Sequence, residues 1–239
     1  AVTFDTYEPN GWGLVLYGHD SNLTLGGNLM LQPSAESLTS GFVNNYYPAS
    51  SWIAQTYITS YHLTGVGYGN GTFVAVGNTG KIFTSSDGST WTEQTSGTTH
   101  NFQNVVYAND TFVAVGKSGT IFTSTDGVTW TSRTSGTTNY LIGITYGNNT
   151  FVTVGHSGTI LTSTDGTTWT EQTSGTTNHL QDITYANGTF VAVGKSGTIL
   201  TSSDGTSWNE QTSGTTNNLQ EITYANGTFV AVGQSGTIL

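Results

Sequence analysis

Apolar residues recur along this chain in runs too short for helices, and their order repeats every 39 residues. The run TFVAVG carries Phe73, Phe112, Phe190 and Phe229, and it reads TFVTVG around Phe151. Its two-residue period puts Phe190 and Ala192 on one face and Val191 and Val193 on the other. Both faces are apolar, which is the pattern of a strand covered on both sides. Residues 180–218 show one whole unit. LQDITYANG predicts a first strand ending in a turn at Asn187-Gly188, and TFVAVG a second. KSG makes the next turn, TILTSS a third strand, Asp204-Gly205 another turn, and SWNEQTS a fourth strand. Asn-Gly and Asp-Gly between alternating runs are strong hairpin signals. A four-stranded unit of this length cannot bury its own faces, so it must stack on its neighbours. The pattern predicts an all-β fold, a β-propeller of four-stranded blades.

Four units carry a tryptophan, at Trp91, Trp130, Trp169 and Trp208. A fifth begins at Asn218 and stops inside its third strand at Leu239. Trp52 lies one period before Trp91, and SWIAQT at 51–56 aligns with TWTEQT at 90–95. The segment near 50–57 is therefore expected to supply the missing fourth strand of the last blade, closing a five-bladed ring and removing two free sheet edges. Residues 1–48 do not repeat and divide from a propeller at 49–239. That acidic extension, with no Lys or Arg, is expected to act as a cap or as a docking arm.

The segments TSSDGSTW, TSTDGVTW, TSTDGTTW and TSSDGTSW, ending at Trp91, Trp130, Trp169 and Trp208, resemble the Asp-box, or BNR repeat, of a family of β-propellers. The resemblance covers about residues 60–239. It implies that Asp87, Asp126, Asp165 and Asp204 hold a structural hairpin between third and fourth strands, while the tryptophans pack inward. The family includes sialidases, which clamp the substrate carboxylate with three arginines. This chain has one arginine, Arg133, so that mechanism is excluded. Related propellers assist photosystem assembly through a basic docking surface, which has no counterpart here.

Charge narrows the field further. The net charge is −10, and the only cations besides histidine are Lys81, Lys117, Arg133 and Lys195. No basic stripe for nucleic acid can be made from them, and an anionic membrane is a poor partner. Cysteine is absent, and no stretch approaches the length of a membrane-spanning helix.

Function is expected where the copies differ. The first–second and third–fourth loops share one rim and are nearly invariant. The second–third loops vary at Asn78, Lys117, His156, Lys195 and Gln234, and the fourth–first loops at positions that include His100, Tyr140 and His179. Asp182 and Glu221 occupy one equivalent strand position. Variation there reads either as specificity or as drift at exposed loops. Lys117 and Lys195 are two blades apart, so they share a site only near the axis. The set suits a neutral polar ligand, and the leading expectation is a non-catalytic, lectin-like propeller that recognises a neutral glycan outside the cell. The alternatives are a structural component of a virion or cell surface, such as a phage capsid decoration, and a glycoside hydrolase using Asp182 and Glu221. A zinc site from His100, His156 and His179 is a weak reading because they lie on different blades and loops. No cofactor or metal is expected.

Overall fold

The structure, a computed structural model, describes residues 60–239 and two strands nearer the N-terminus. Residues 1–54 and 55–239 form two compact units. In the first unit, β1 (Thr3–Thr6) pairs antiparallel with β2 (Leu14–Tyr17). Trp52 and the expected closing strand at 50–57 lie outside the described residues, as does most of the extension at 1–48.

The second unit is five consecutive antiparallel sheets, consistent with a five-bladed β-propeller. Blade one is β3 (Leu63–Gly69), β4 (Thr72–Gly77), β5 (Ile82–Ser85) and β6 (Thr92–Gln94). Blade two is β7 (Phe102–Ala108), β8 (Thr111–Gly116), β9 (Ile121–Ser124) and β10 (Thr131–Arg133). Blade three is β11 (Leu141–Gly147), β12 (Thr150–Gly155), β13 (Ile160–Ser163) and β14 (Thr170–Gln172). Blade four is β15 (Leu180–Ala186), β16 (Thr189–Gly194), β17 (Ile199–Ser202) and β18 (Asn209–Gln211). Blade five contributes β19 (Leu219–Ala225) and β20 (Thr228–Gly233), followed by a single bridge between Val232 and Ile238.

Local chemistry sets these hairpins. The first turn of each blade needs two left-handed residues. Asn70-Gly71 supplies them at φ 48° and 73°, while blades two and three use Asn109-Asp110 and Asn148-Asn149. Short amide and carboxylate side chains tolerate that region, which other residues avoid. The third-to-fourth turn is held by its aspartate. Asp165 Oδ1 accepts the Ser163 hydroxyl and the backbone N–H groups of Thr167 and Thr168 at 2.8–2.9 Å. The Trp169 indole then donates to Gly166 O at 3.0 Å. The same bonds recur around Asp87, Asp126 and Asp204. Donors this close stabilise the charged carboxylate, and they hold all four aspartates below the usual carboxylate range.

The core lies between blades. Val74, Val76 and Ile82 of blade one pack with Phe102, Val105 and Phe112 of blade two, and equivalent clusters join each later pair. Two features depart from the simple strand reading. The fourth strands are only three residues long, so Trp208 precedes β18 and lies outside it. Each first strand carries a bulge near its start, between Leu180 and Asp182 in blade four.

Candidate functional site

The first strands β3, β7, β11, β15 and β19 run side by side in order, each against the next blade's first strand. Their N-terminal ends meet the second-to-third turns, so the positions that vary between copies gather along one rim. Each of these turns is a short 3₁₀ turn with one left-handed residue, such as Ser157 at φ 55°.

In blades three and four the rim forms an aromatic cluster. His156 stacks on His179 with centroids 4.1 Å apart and planes 11° apart. Tyr140 meets the edge of His156 at 5.1 Å. All three rings are half-buried. The Tyr140 hydroxyl is hydrogen-bonded by the Gln103 amide of the preceding blade. Burial lowers the His156 pKa, and the nearby His179 and Lys195 push it the same way, so the ring favours its neutral form. The Ser157 N–H donates to His179 Nδ1 at 2.9 Å. That bond fixes the tautomer: in neutral His179 the proton sits on Nε2.

Two of the variable histidines also do work that asparagines do elsewhere. Asn101 Oδ1 and Asn218 Oδ1 accept the Thr79 and Ser196 N–H groups at the positions where His179 accepts Ser157. His100 Nδ1 bonds Thr120 Oγ1 at 3.0 Å, where Asn139, Asn178 and Asn217 bond Thr159, Thr198 and Thr237 at 2.8 Å. His100 is thus a scaffold substitution, apart from the aromatic cluster. Lys195 is exposed beside the cluster, and Lys117 is exposed at the equivalent turn of blade two. The signal for Gln103 was available only in three dimensions, since Gln181 and Gln220 repeat at its position without a tyrosine partner.

Asp182 and Glu221 differ in environment. Asp182 is half-buried, and its Oδ2 accepts the Ile222 N–H of the next blade at 2.9 Å. Burial, helped by Glu221, outweighs two backbone N–H donors and pushes its pKa up to about 6. Glu221 is exposed. A carboxyl already engaged by backbone, beside one facing solvent, is a blade-to-blade tie. Its titration predicts a pH trend. Because the folded pKa lies above the ordinary 3.8, its stabilising protonated form is complete below about pH 4 and is lost as pH rises through about 6. Between those values thermal stability should fall by about 1–3 kcal/mol, the upper figure being the two-unit shift taken whole. Asp182→Asn should flatten this slope, since the amide oxygen still accepts from Ile222. An unchanged slope in melts from pH 4 to pH 7 would remove Asp182 as its source. Below pH 4 the trend reverses, as the four turn aspartates lose their charge.

Open grooves of about 750–840 Å³ lie beneath the fourth-to-first loops of blades two, three and four. Their equivalent positions mark them as features of the repeat, unlike the aromatic cluster, which occurs once among the described residues. Arg133 lies in the outer strand β10 and donates to Thr123 Oγ1 at 2.8 Å. Among the described residues, no group of three or more His, Asp or Glu side chains is placed to hold a metal ion. No described helix is long and apolar enough to cross a membrane.

Comparison with known proteins identifies the fold. A family profile described as the DUF6242 beta propeller domain matches residues 72–175. YCF48 from Cyanidioschyzon merolae superposes with a TM-score of 0.61 at 19% identity, covering 76% of this chain and 67% of that one. A YCF48 bound to D1 peptide gives 0.63 at 15% identity, covering 80% and 67%. The computationally designed Ika8 protein gives 0.61 at 14% identity, covering 74% and 57%. No curated protein matches the sequence. The fold is therefore a β-propeller similar to that of YCF48.

Proposed function

We propose that this chain is a non-catalytic binding propeller and that it takes a neutral glycan on the variable rim, at Tyr140, His156 and His179. The observation that carries this reading is the three-ring cluster of Tyr140, His156 and His179, which is not repeated between other blades among the described residues. A half-buried row of rings offers apolar area with polar edges, which suits the C–H faces and hydroxyls of a sugar. The His179 Nε2–H and the half-buried amides of Asn101 and Asn218, whose oxygens are held by turn N–H groups, add neutral donors. No clustered cations compete for phosphate, so affinity should depend little on salt.

The test is a neutral glycan array followed by calorimetry on the hits. Tyr140→Ala and His179→Asn should each cost more than about 1 kcal/mol of binding. His179→Asn is the cleaner variant, because asparagine keeps the turn bond at this position in two other blades. Asn187→Asp, on the opposite rim, should leave binding unchanged. A footprint away from the cluster would overturn the assignment. A peptide ligand on the same rim is the second reading, favoured by the similar propeller that was solved with a D1 peptide. A blank array together with peptide binding lost in Tyr140→Ala would select it.

A further inference from the structure

The groove of blade two departs from its copies in blades three and four. Where the other complete blades read Glu93-Gln94, Glu171-Gln172 and Glu210-Gln211 in the outer strand, blade two reads Ser132-Arg133. Both changes move charge in the positive direction, and the scaffold needs neither. Gln94, Gln172 and Gln211 each donate from Nε2 to a threonine hydroxyl oxygen of the adjoining third strand at 2.9 Å. Arg133 makes the equivalent bond to Thr123 through Nε alone, at 2.8 Å. Its two terminal nitrogens and their N–H groups are surplus to the repeat. Arg133 is half-buried. The ion pair found among the described residues, Lys81 with Glu93, lies in blade one.

A backbone donor on the same groove lacks the acceptor its copies have. The turn N–H groups of Thr79, Ser157 and Ser196 are each taken by the side chain that heads the next blade, Asn101, His179 or Asn218. In blade two that place belongs to Tyr140, whose hydroxyl accepts from Gln103. The Ser118 N–H therefore has no acceptor among the described residues, and Ser118 is exposed. His100 offers the opposite polarity. The Thr120 hydroxyl donates to Lys117 O at 2.6 Å, so its oxygen accepts from His100 Nδ1. The neutral His100 ring then presents Nε2 as an acceptor.

Arg133, Ser118 and His100 line one groove of about 840 Å³. Its described lining includes no carboxylate, whereas Glu171 and Glu210 line the grooves of blades three and four. The rest of its wall is largely threonine and serine. We propose that this groove binds a small sugar acid. Its carboxylate would lie on the terminal nitrogens of Arg133 and the Ser118 N–H, and its hydroxyls would meet His100 Nε2 and the hydroxyl wall. The flat edge of a guanidinium pairs with a flat carboxylate through two parallel hydrogen bonds. The ligand's charge and the groove's place in blade two separate this site from the neutral-glycan reading of the Tyr140 cluster, and neither depends on the other.

The test is an NMR titration of the isotope-labelled full chain with sodium glucuronate, glucose and inorganic phosphate. Glucuronate should bind with a Kd on the order of 1 mM, the affinity open to a ligand of its size. It should move the backbone amide signals of Ser118 and Arg133. Glucose, the same ring without the carboxylate, and phosphate should each bind at least about tenfold more weakly. Arg133→Gln restores the residue of the other blades and keeps a donor for Thr123, so the fold is retained. It should weaken glucuronate by at least about tenfold. Ser132→Glu, which returns the carboxylate of the repeat without touching Arg133, should weaken it as well. No glucuronate binding, or an unchanged affinity in Arg133→Gln, would overturn the proposal. So would shifts confined to Tyr140, His156 and His179. Phosphate bound as tightly as glucuronate would overturn the sugar-acid assignment by showing a general anion site.

Discussion

Gly158→Ala should destabilise this protein by at least about 4 kcal/mol and lower its melting temperature by about 8–16 °C. Gly158 is buried in the turn between β12 and β13 at φ +71°. A β-carbon there would lie 2.0 Å from Thr176 O and 2.8 Å from Ser174 Oγ. Neither neighbour is free to retreat. The Ser174 hydroxyl donates to Thr176 O at 3.1 Å and accepts the Thr176 N–H at 3.3 Å, which pins the loop. The left-handed backbone alone costs about 1–2 kcal/mol for an L-residue, and the collision adds to that. Gly175→Ala separates the two contributions. Gly175 has φ +77° but nothing within 4 Å of its would-be β-carbon, so only the backbone cost should remain. Equal losses in the two variants, measured by urea unfolding, would mean that the close approach of loop to turn is not real.

That contrast is invisible in the sequence, where both residues are glycines in Ser-Gly-Thr. More of the framework was legible because its determinants are local. Asn187-Gly188 and Asp204-Gly205 have few ways to reverse a chain, and the doubly apolar TFVAVG run has few places to go except between two layers. The bulge at Leu180–Asp182 left only a faint mark, the two consecutive polar residues Gln181 and Asp182 between Leu180 and Ile183, which fit the end of a loop equally. It matters because it coincides with the point where Asp182 reaches the Ile222 N–H of the next blade. The fourth strands were read too long for a similar reason. The polar residues flanking Asn209–Gln211 fit a strand or a loop equally, and only ladder bonds decide.

The candidate site was legible as variation and no further. Sequence placed His100, Tyr140, His156 and His179 on the same rim, but an imidazole nitrogen standing in for an asparagine amide is a matter of geometry. The structure divides the set. It gives His100 the hydrogen bond that asparagine makes in other blades, and it brings Tyr140, His156 and His179 into ring contact. His179 belongs to both classes, which is why its replacement by asparagine tests binding without loosening the turn.

Phe151→Ala should cost about 3–5 kcal/mol, the range for emptying an aromatic site in a packed core. Phe151 is fully buried at the junction of blades two and three, among Val113, Ile121, Leu141 and Leu161. Tyr146 packs on its ring with centroids 4.6 Å apart. The cavity would be lined by aliphatic side chains from two sheets, whose backbones are tied by ladder bonds and cannot collapse into it. Trp169→Ala should cost less, about 2–3 kcal/mol, because the indole is half-exposed and loses mainly area and one bond to Gly166 O. Phe229 occupies the position of Phe151 in blade five and pairs with Tyr224 at 4.7 Å, but it is only half-buried. Phe229→Ala should therefore cost no more than about half as much as Phe151→Ala. The side chain, the strand and the local sequence are the same in both variants, so the difference measures what the neighbouring blade contributes. Equal losses in denaturant unfolding would show that blade five is covered in solution as fully as blade three.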